Sequence, residues 1–186
     1  SEERFRSLYQ NTDVSIWEED FSVLLQELEG LKKQGVDDIE SYLRNHPEHL
    51  EKMSSMVTVL DVNKASLSLF SAESKEVFFD NIGEAFDSES SMIIFAEEVK
   101  ALWNKDAFFR REVEQVDIKG EVMHVILSMP IPQSIDAAKR VPVTLLDTTQ
   151  LKSAQDQLRK LSLAIQHNPS AVVIMHLEGV IEYVNP

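Results

Sequence analysis

Residues 180–186 read VIEYVNP. The preceding stretch, AVVIMHLEG at 171–179, supplies an apolar run and then Glu178-Gly179, close to the Asp-Gly pair that favours tight hairpins. Val180–Pro186 is therefore expected to be the second strand of a hairpin. A lone hairpin is at best marginal in water, so this one has to belong to a larger sheet. A second stretch closes in the same way. VLDVNKAS, at 59–66, is a strand ending on Val-Asn, as IEYVNP is. Upstream of each, an asparagine follows a helical segment and leads into a strand: NTDVSIWEED from Asn11 and NPSAVVIMHL from Asn168. The landmarks Asn168 and Asn185 lie 17 residues apart, and Asn11 and Asn63 lie 52 apart. The difference, about 35 residues, matches a helical stretch at 21–56. The chain is thus expected to begin the same unit twice, with an insert in the first copy, and the second copy is cut short at Pro186.

The remaining elements follow from periodicity. Residues 2–9 read as a helix end with Phe5 and Leu8 on one side. Ser15 and Trp17 alternate with Val14 and Ile16 in a strand. Phe21, Leu24, Leu25, Leu28 and Leu31 fall at helical spacing, with Gly35 as the stop. Asp37 with Glu40 suits the next N-terminus, and Pro47 the first turn of a third helix carrying Leu50 and Met53. A strand at 57–62 follows, then a short helix from Asn63, one capped by Ser71 that buries Val77 and Phe78, and a longer one near 90–104. That helix carries Met92, Phe95, Ala96, Val99 and Trp103 on one face. FFRREVEQVDIKGEVMHVILSMPI is a hairpin about Lys119-Gly120, and VPVTLLD is one more strand with Pro142 at its start. In the following helix Leu151, Ala154, Leu158, Leu161 and Ile165 step by 3, 4, 3, 4, the seam of a two-helix coiled coil with a second copy of the chain; packing on its own domain is the other account of that stripe.

The chain's 186 residues are 43% apolar and 27% charged, an ordinary globular balance. A formal net charge of −14 opposes binding to nucleic acid or to an anionic membrane surface. No run of 18 apolar residues is present and no leader is visible, so a cytoplasmic protein is expected. Cysteine is absent, which removes disulfides, thiolate metal sites and a cysteine nucleophile.

Strand, strand, short helices, a longer helix, three antiparallel strands, then LLDTT and a heptad helix: this order resembles the PAS sensor domain. VVIMHLEGVIEYVNP looks like the opening hairpin of a second such domain, and DIKGEVMHVILSMPIP like the fourth-strand region of the first. LLDTTQLKSAQDQL resembles the Asp-aliphatic-Thr motif that ends a PAS sheet and begins the signalling helix, with Thr148 replacing the aliphatic residue. WEEDFS and the helices after it are similar to a PAS subgroup found upstream of histidine kinases and diguanylate cyclases. The resemblance implies an α+β fold with a five-stranded antiparallel sheet and helices on one face. A three-helix insert divides the first two strands, and a linker helix follows the sheet. The expected divisions are an N-terminal helix at 1–10, a PAS domain at 11–147, a coiled-coil linker at 148–168 and the start of a second PAS domain at 169–186. The function it implies is sensing, of a small molecule, with transmission through a dimeric helix to a downstream effector. The alternative is a ligand-free module that dimerises and spaces its neighbours.

No P-loop, Gly-rich dinucleotide turn or HExxH motif occurs, so no catalytic residue is expected in this stretch of chain. Trp17, Phe70, Phe95, Trp103, Arg110 and His124 are the candidates for a pocket between sheet and helices. For five of them a plainer account stands beside it: Phe70, Phe95 and Trp103 as core, Arg110 as an exposed cross-strand partner, His124 as a sheet residue facing away from the helices. Glu18, Glu19 and Asp20 read as solvated, with Asp20 capping the next helix. His46 and His49 read as an N-terminal helix turn, with no metal site. The histidines are too scattered to indicate haem, no cysteine can form a flavin adduct, and no cofactor is named. Asp147, Thr148 and Thr149 stand where the last strand becomes the linker helix and are the candidates for signal coupling.

Overall fold

The structure, a computed structural model, describes residues 2–86, 88–168 and 170–186, and the chain divides into two compact units at Asp147. In the first unit, helix α1 (Glu2–Asn11) leads to strand β1 (Ser15–Asp20). Helices α2 (Ser22–Lys33), α3 (Ile39–Asn45) and α4 (Pro47–Ser54) follow before β2 (Thr58–Val62). Next come α5 (Lys64–Leu69), α6 (Lys75–Phe86), α7 (Glu89–Asn104) and strands β3 (Phe108–Val116), β4 (Val122–Pro130) and β5 (Val141–Asp147). The sheet order is β2-β1-β5-β4-β3, antiparallel throughout. The Phe5 side chain, expected beside Leu8, lies outside the described residues.

Local chemistry sets the element ends. Asp38, one residue after the expected cap, accepts from the backbone N–H of Glu40 at 3.0 Å and of Ser41 at 3.2 Å and starts α3. Gly35 sits at φ 90° and ends α2, with Val36 N–H donating back to Leu31 O at 3.1 Å. Ser88 caps α7 by accepting from Ser91 N–H at 3.1 Å. Ser71 does not cap α6. It holds a left-handed φ of 57°, and its hydroxyl donates to Asp117 Oδ2 at 2.5 Å; Ser74 Oγ accepts from Val77 N–H instead. Of the two residues expected to be buried on α6, Phe78 is and Val77 is exposed. Asp117 also accepts from Lys119 N–H and Glu121 N–H, which closes the Lys119-Gly120 turn. Pro142 lies one residue into β5, outside the span paired with β4.

The helices between β1 and β2 belong to the core. Phe21, Leu24, Leu28 and Leu31 from α2 and its entry, Leu43 from α3 and Met53 from α4 are buried in one cluster with the sheet's inner residues. Lys32 Nζ donates to Trp103 O at 2.6 Å and lies 4.6 Å above the Trp103 ring, and Lys100 pairs with Glu40. His49 bridges α2 and α3, with Nδ1 2.8 Å from the Tyr42 hydroxyl and Nε2 2.9 Å from Glu27, and His46 stacks on Tyr42.

The second unit contains α8 (Thr149–Gln166), β6 (Val173–Met175) and β7 (Ile181–Val184), the two strands pairing antiparallel about a turn with Gly179 at φ 84°. Its hydrogen bonds reproduce those of the first unit. Asn63 Nδ2 donates to Tyr9 O and Val14 O, and Asn63 Oδ1 accepts from Ile16 N–H. Asn185 Nδ2 donates to Ile165 O and Ser170 O, and its Oδ1 accepts from Val172 N–H. Thr12 Oγ1 receives Val14 N–H as Asn168 Oδ1 receives Ser170 N–H. These partners are offset by 156 residues throughout, so Thr12 and not Asn11 matches Asn168. The asparagines themselves are offset by 122, which makes the extra segment 34 residues long. Strand register repeats as well. Trp17 opposes Val62 as Val173 opposes Val184, and each pair carries a bulge at the equivalent place, after Glu18 and after Ile174.

Candidate functional site

The inner face of the first unit's sheet is built from alternating residues. Met123, Val125, Leu127 and Met129 on β4 and Val143 and Leu145 on β5 are buried there, with Trp17 on β1. Between this face and helices α4, α6 and α7 lies a cavity of about 460 Å³. That is the size of pocket that takes a small organic molecule. Its walls are mainly apolar: Trp17, Val113, Leu127 and Met129 from the sheet, Ile82 from α6, and Met92, Ile94 and Phe95 from α7. The inserted segment supplies Ser54 and Ser55, so the helices before β2 form part of the wall.

Two carboxyl groups also face the cavity, Glu19 and Glu98. Glu19 is two residues beyond Trp17 on β1 and shares its face, while Glu98 is one helical turn beyond Phe95. Burial pushes the Glu19 carboxyl up to about 7, and burial together with the Glu19 charge pushes Glu98 well above the usual carboxylate range. Glu18, Glu19 and Asp20, read from the sequence as solvated, are all half-buried, and strand alternation turns Glu19 toward the cavity. Asp20 does accept from Ser22 N–H at 2.8 Å.

Of the six residues expected to line a pocket, Trp17 and Phe95 do so. Phe70 is fully buried behind Trp17, with ring centroids 5.3 Å apart, and Phe78 completes the aromatic group. Trp103 is buried beneath Lys32, away from the cavity. Arg110 and His124 occupy the opposite strand parity from the buried residues of β3 and β4; Arg110 is exposed and His124 half-buried. They are therefore not cavity residues. The Trp17 indole N–H donates to Ser15 Oγ at 3.1 Å, Ser15 Oγ to Ser66 Oγ at 2.9 Å, and Ser66 Oγ to Asn63 Oδ1 at 2.8 Å. A buried polar chain thus joins the cavity wall to the asparagine that fastens the end of α1.

Asp147 closes β5 opposite Val125, and Thr148 occupies the N-cap position of α8 without a side-chain cap bond. Asp147 is thus one place before the cap. Along α8 no residue is buried: Leu151, Ala154, Leu158 and Leu161 are exposed and Ile165 is half-buried. Among the described residues no group of three His, Cys, Asp or Glu is placed to hold a metal, and no helix is long and apolar enough to cross a membrane.

No family model matches the chain, and no curated protein matches it. Solved structures do. A PAS domain of a protein from Colwellia psychrerythraea superposes with a TM-score of 0.52 at 10% identity, covering 80% of this chain and 97% of that one. A domain of a sensory box sensor histidine kinase/response regulator from Geobacter sulfurreducens gives a TM-score of 0.43 at 12% identity, over 78% and 93% of the two chains, too low to add to the argument.

Proposed function

We propose, from the PAS fold that the sheet order and the Colwellia structure establish, that this chain is a sensory module whose first unit binds a small molecule in the cavity beneath α7. The observation that carries this reading is the cavity itself, about 460 Å³, mainly apolar, with two carboxyls converging from different elements. Occupancy acts by favouring one of two packings of sheet and helices, and a ligand shifts that balance only by binding them unequally. The signal leaves through β5, Asp147, Thr148 and Thr149 into α8. That helix pairs with its counterpart in a second copy along Leu151, Ala154, Leu158, Leu161 and Ile165. Residues 169–186 open a second PAS domain, a reading supported by the repeated asparagine fastening and bulge. The protein works in the cytoplasm, acts by binding rather than catalysis, and serves an effector such as a histidine kinase or diguanylate cyclase, for which the WEEDFS likeness is the support.

Native and then denaturing mass spectrometry of the purified protein tests the sensor reading. A small mass that leaves on denaturation is the expected result. A bare chain that no small molecule stabilises against heat would overturn it in favour of the ligand-free dimerisation module, for which the exposed seam of α8 is the favouring observation.

A further inference from the structure

We propose that the cavity is made for an organic cation, a molecule with an apolar body and one ammonium group, received jointly by Glu19 and Glu98. This rests on the cavity being a ligand site and adds the chemistry of the ligand. The two carboxyls come from separate elements, β1 and α7, and meet in one apolar chamber. Both side chains are half-buried and face the cavity, and an acid withdrawn from water is ordinarily paired or hydrogen-bonded, because an uncompensated charge there is costly. Among the described residues, neither Glu19 nor Glu98 has a hydrogen-bond or ion-pair partner, although ion pairs occur at Arg111–Glu97 and Lys100–Glu40 on the same helix. Among the described residues, the walls contributed by β1 to β5, α4, α6 and α7 hold no lysine, arginine or histidine, and Glu19 and Glu98 are the only ionisable side chains that line the cavity.

A bare metal ion is a poor match, since two carboxyls fall short of its ligand set and the rest of the wall is mainly apolar, with Ser54, Ser55, Ser91 and Gln115 as its other polar side chains. An ammonium group with an apolar body matches both parts. Its N–H donors reach the two carboxyls, and its body covers Trp17, Phe95 and Met129. Proton balance follows. Without a cation, burial and mutual repulsion hold a proton on the pair near neutral pH. An entering ammonium ion favours both charged forms, so a proton is released to solvent as the complex forms, and affinity rises with pH.

The test uses the full chain and matched probes that differ only in the charged group: 2-phenylethylamine against 2-phenylethanol, 2-cyclohexylethylamine against 2-cyclohexylethanol, and hexylamine against hexanol. Calorimetric titration at pH 6 and pH 8 and thermal shift are read for each. The amines are expected to bind more tightly than their alcohols, more tightly at pH 8 than at pH 6, and to raise Tm. Glu19→Gln and Glu98→Gln, which keep size and shape, should each weaken the amine about tenfold or more, the loss of one close charged partner, and leave the alcohols unchanged. Alcohols binding as well as amines would overturn the cation while leaving the cavity as a ligand site. So would a neutral or anionic molecule released in the mass spectrum. Amines that fail to bind, or that bind the glutamine variants as tightly as the parent, would also overturn it. No binding by any probe, together with a bare chain in the native spectrum, would remove the sensor reading with it.

Discussion

At the level of single residues, Glu19 and Glu98 are placed against stability. The sign follows from their directions. An acid raised in the folded state keeps its proton after the unfolded chain has lost it, so the fold loses stability as pH rises from about 4.5 to about 7, and the penalty is complete above that. For Glu19 the shift corresponds to a penalty on the order of 3 kcal/mol. Urea unfolding from pH 5 to pH 8 should show stability falling, and Glu19→Gln should flatten the slope and be the more stable protein at pH 8. A parent whose stability does not change over that range would show that the carboxyl is solvated. Glu19 was hidden in the sequence because it stands in an acidic run, whose bulk polarity argues for solvent, while alternation from Trp17 argues for the interior. Glu98 had a comparable signal, one turn beyond Phe95, that an apolar stripe passes over. Parity also separates the other candidates. Arg110 and His124 alternate with buried residues, and that alternation was readable once β4 had an inner face.

Among the elements, α7 ends with Lys105 in the left-handed region, φ 54° and ψ 44°, where a side chain is strained and glycine is not. Lys105→Gly is expected to stabilise the protein by about 1 kcal/mol, seen as a higher Tm, because it relieves that strain at an exposed site. Asn63 is the opposite case. Its side chain fastens α1 to β1 and caps α5 through Ser66 N–H. Asn63→Ala leaves several buried backbone groups unpaired and should cost about 3 kcal/mol or more, measured by chemical denaturation. The strands, the hairpin turn and the three helices before β2 were legible because their apolar periods are long and their stops are Gly or Pro. Cap positions were less so. DDIES and SAES each offer adjacent polar residues, and only the packed chain decides between Asp37 and Asp38, or between Ser71 and Ser74. Likewise, the asparagine landmarks identified the repeat, yet its register slipped by one at Asn11 because Thr12 makes the turn that Asn168 makes.

For the whole molecule, α8 carries an exposed apolar seam. Leu158 and Leu161 are exposed at 68% and 61%, which is costly for leucine in water. If the seam pairs two copies, Leu158→Glu should turn a dimer into a monomer in analytical ultracentrifugation while leaving the cavity's ligand binding intact. A parent that is already monomeric would reject the pairing. The asparagine fastening has a further use, in engineering. The same bonds close around a 34-residue longer segment in one unit and around a tight turn in the other, so they lock the strands without regard to what lies between them. Loop closure becomes only slowly harder with length. The Glu178-Gly179 tip is therefore a place where a foreign domain with neighbouring ends can be spliced in, reporting from the hairpin without disturbing its register.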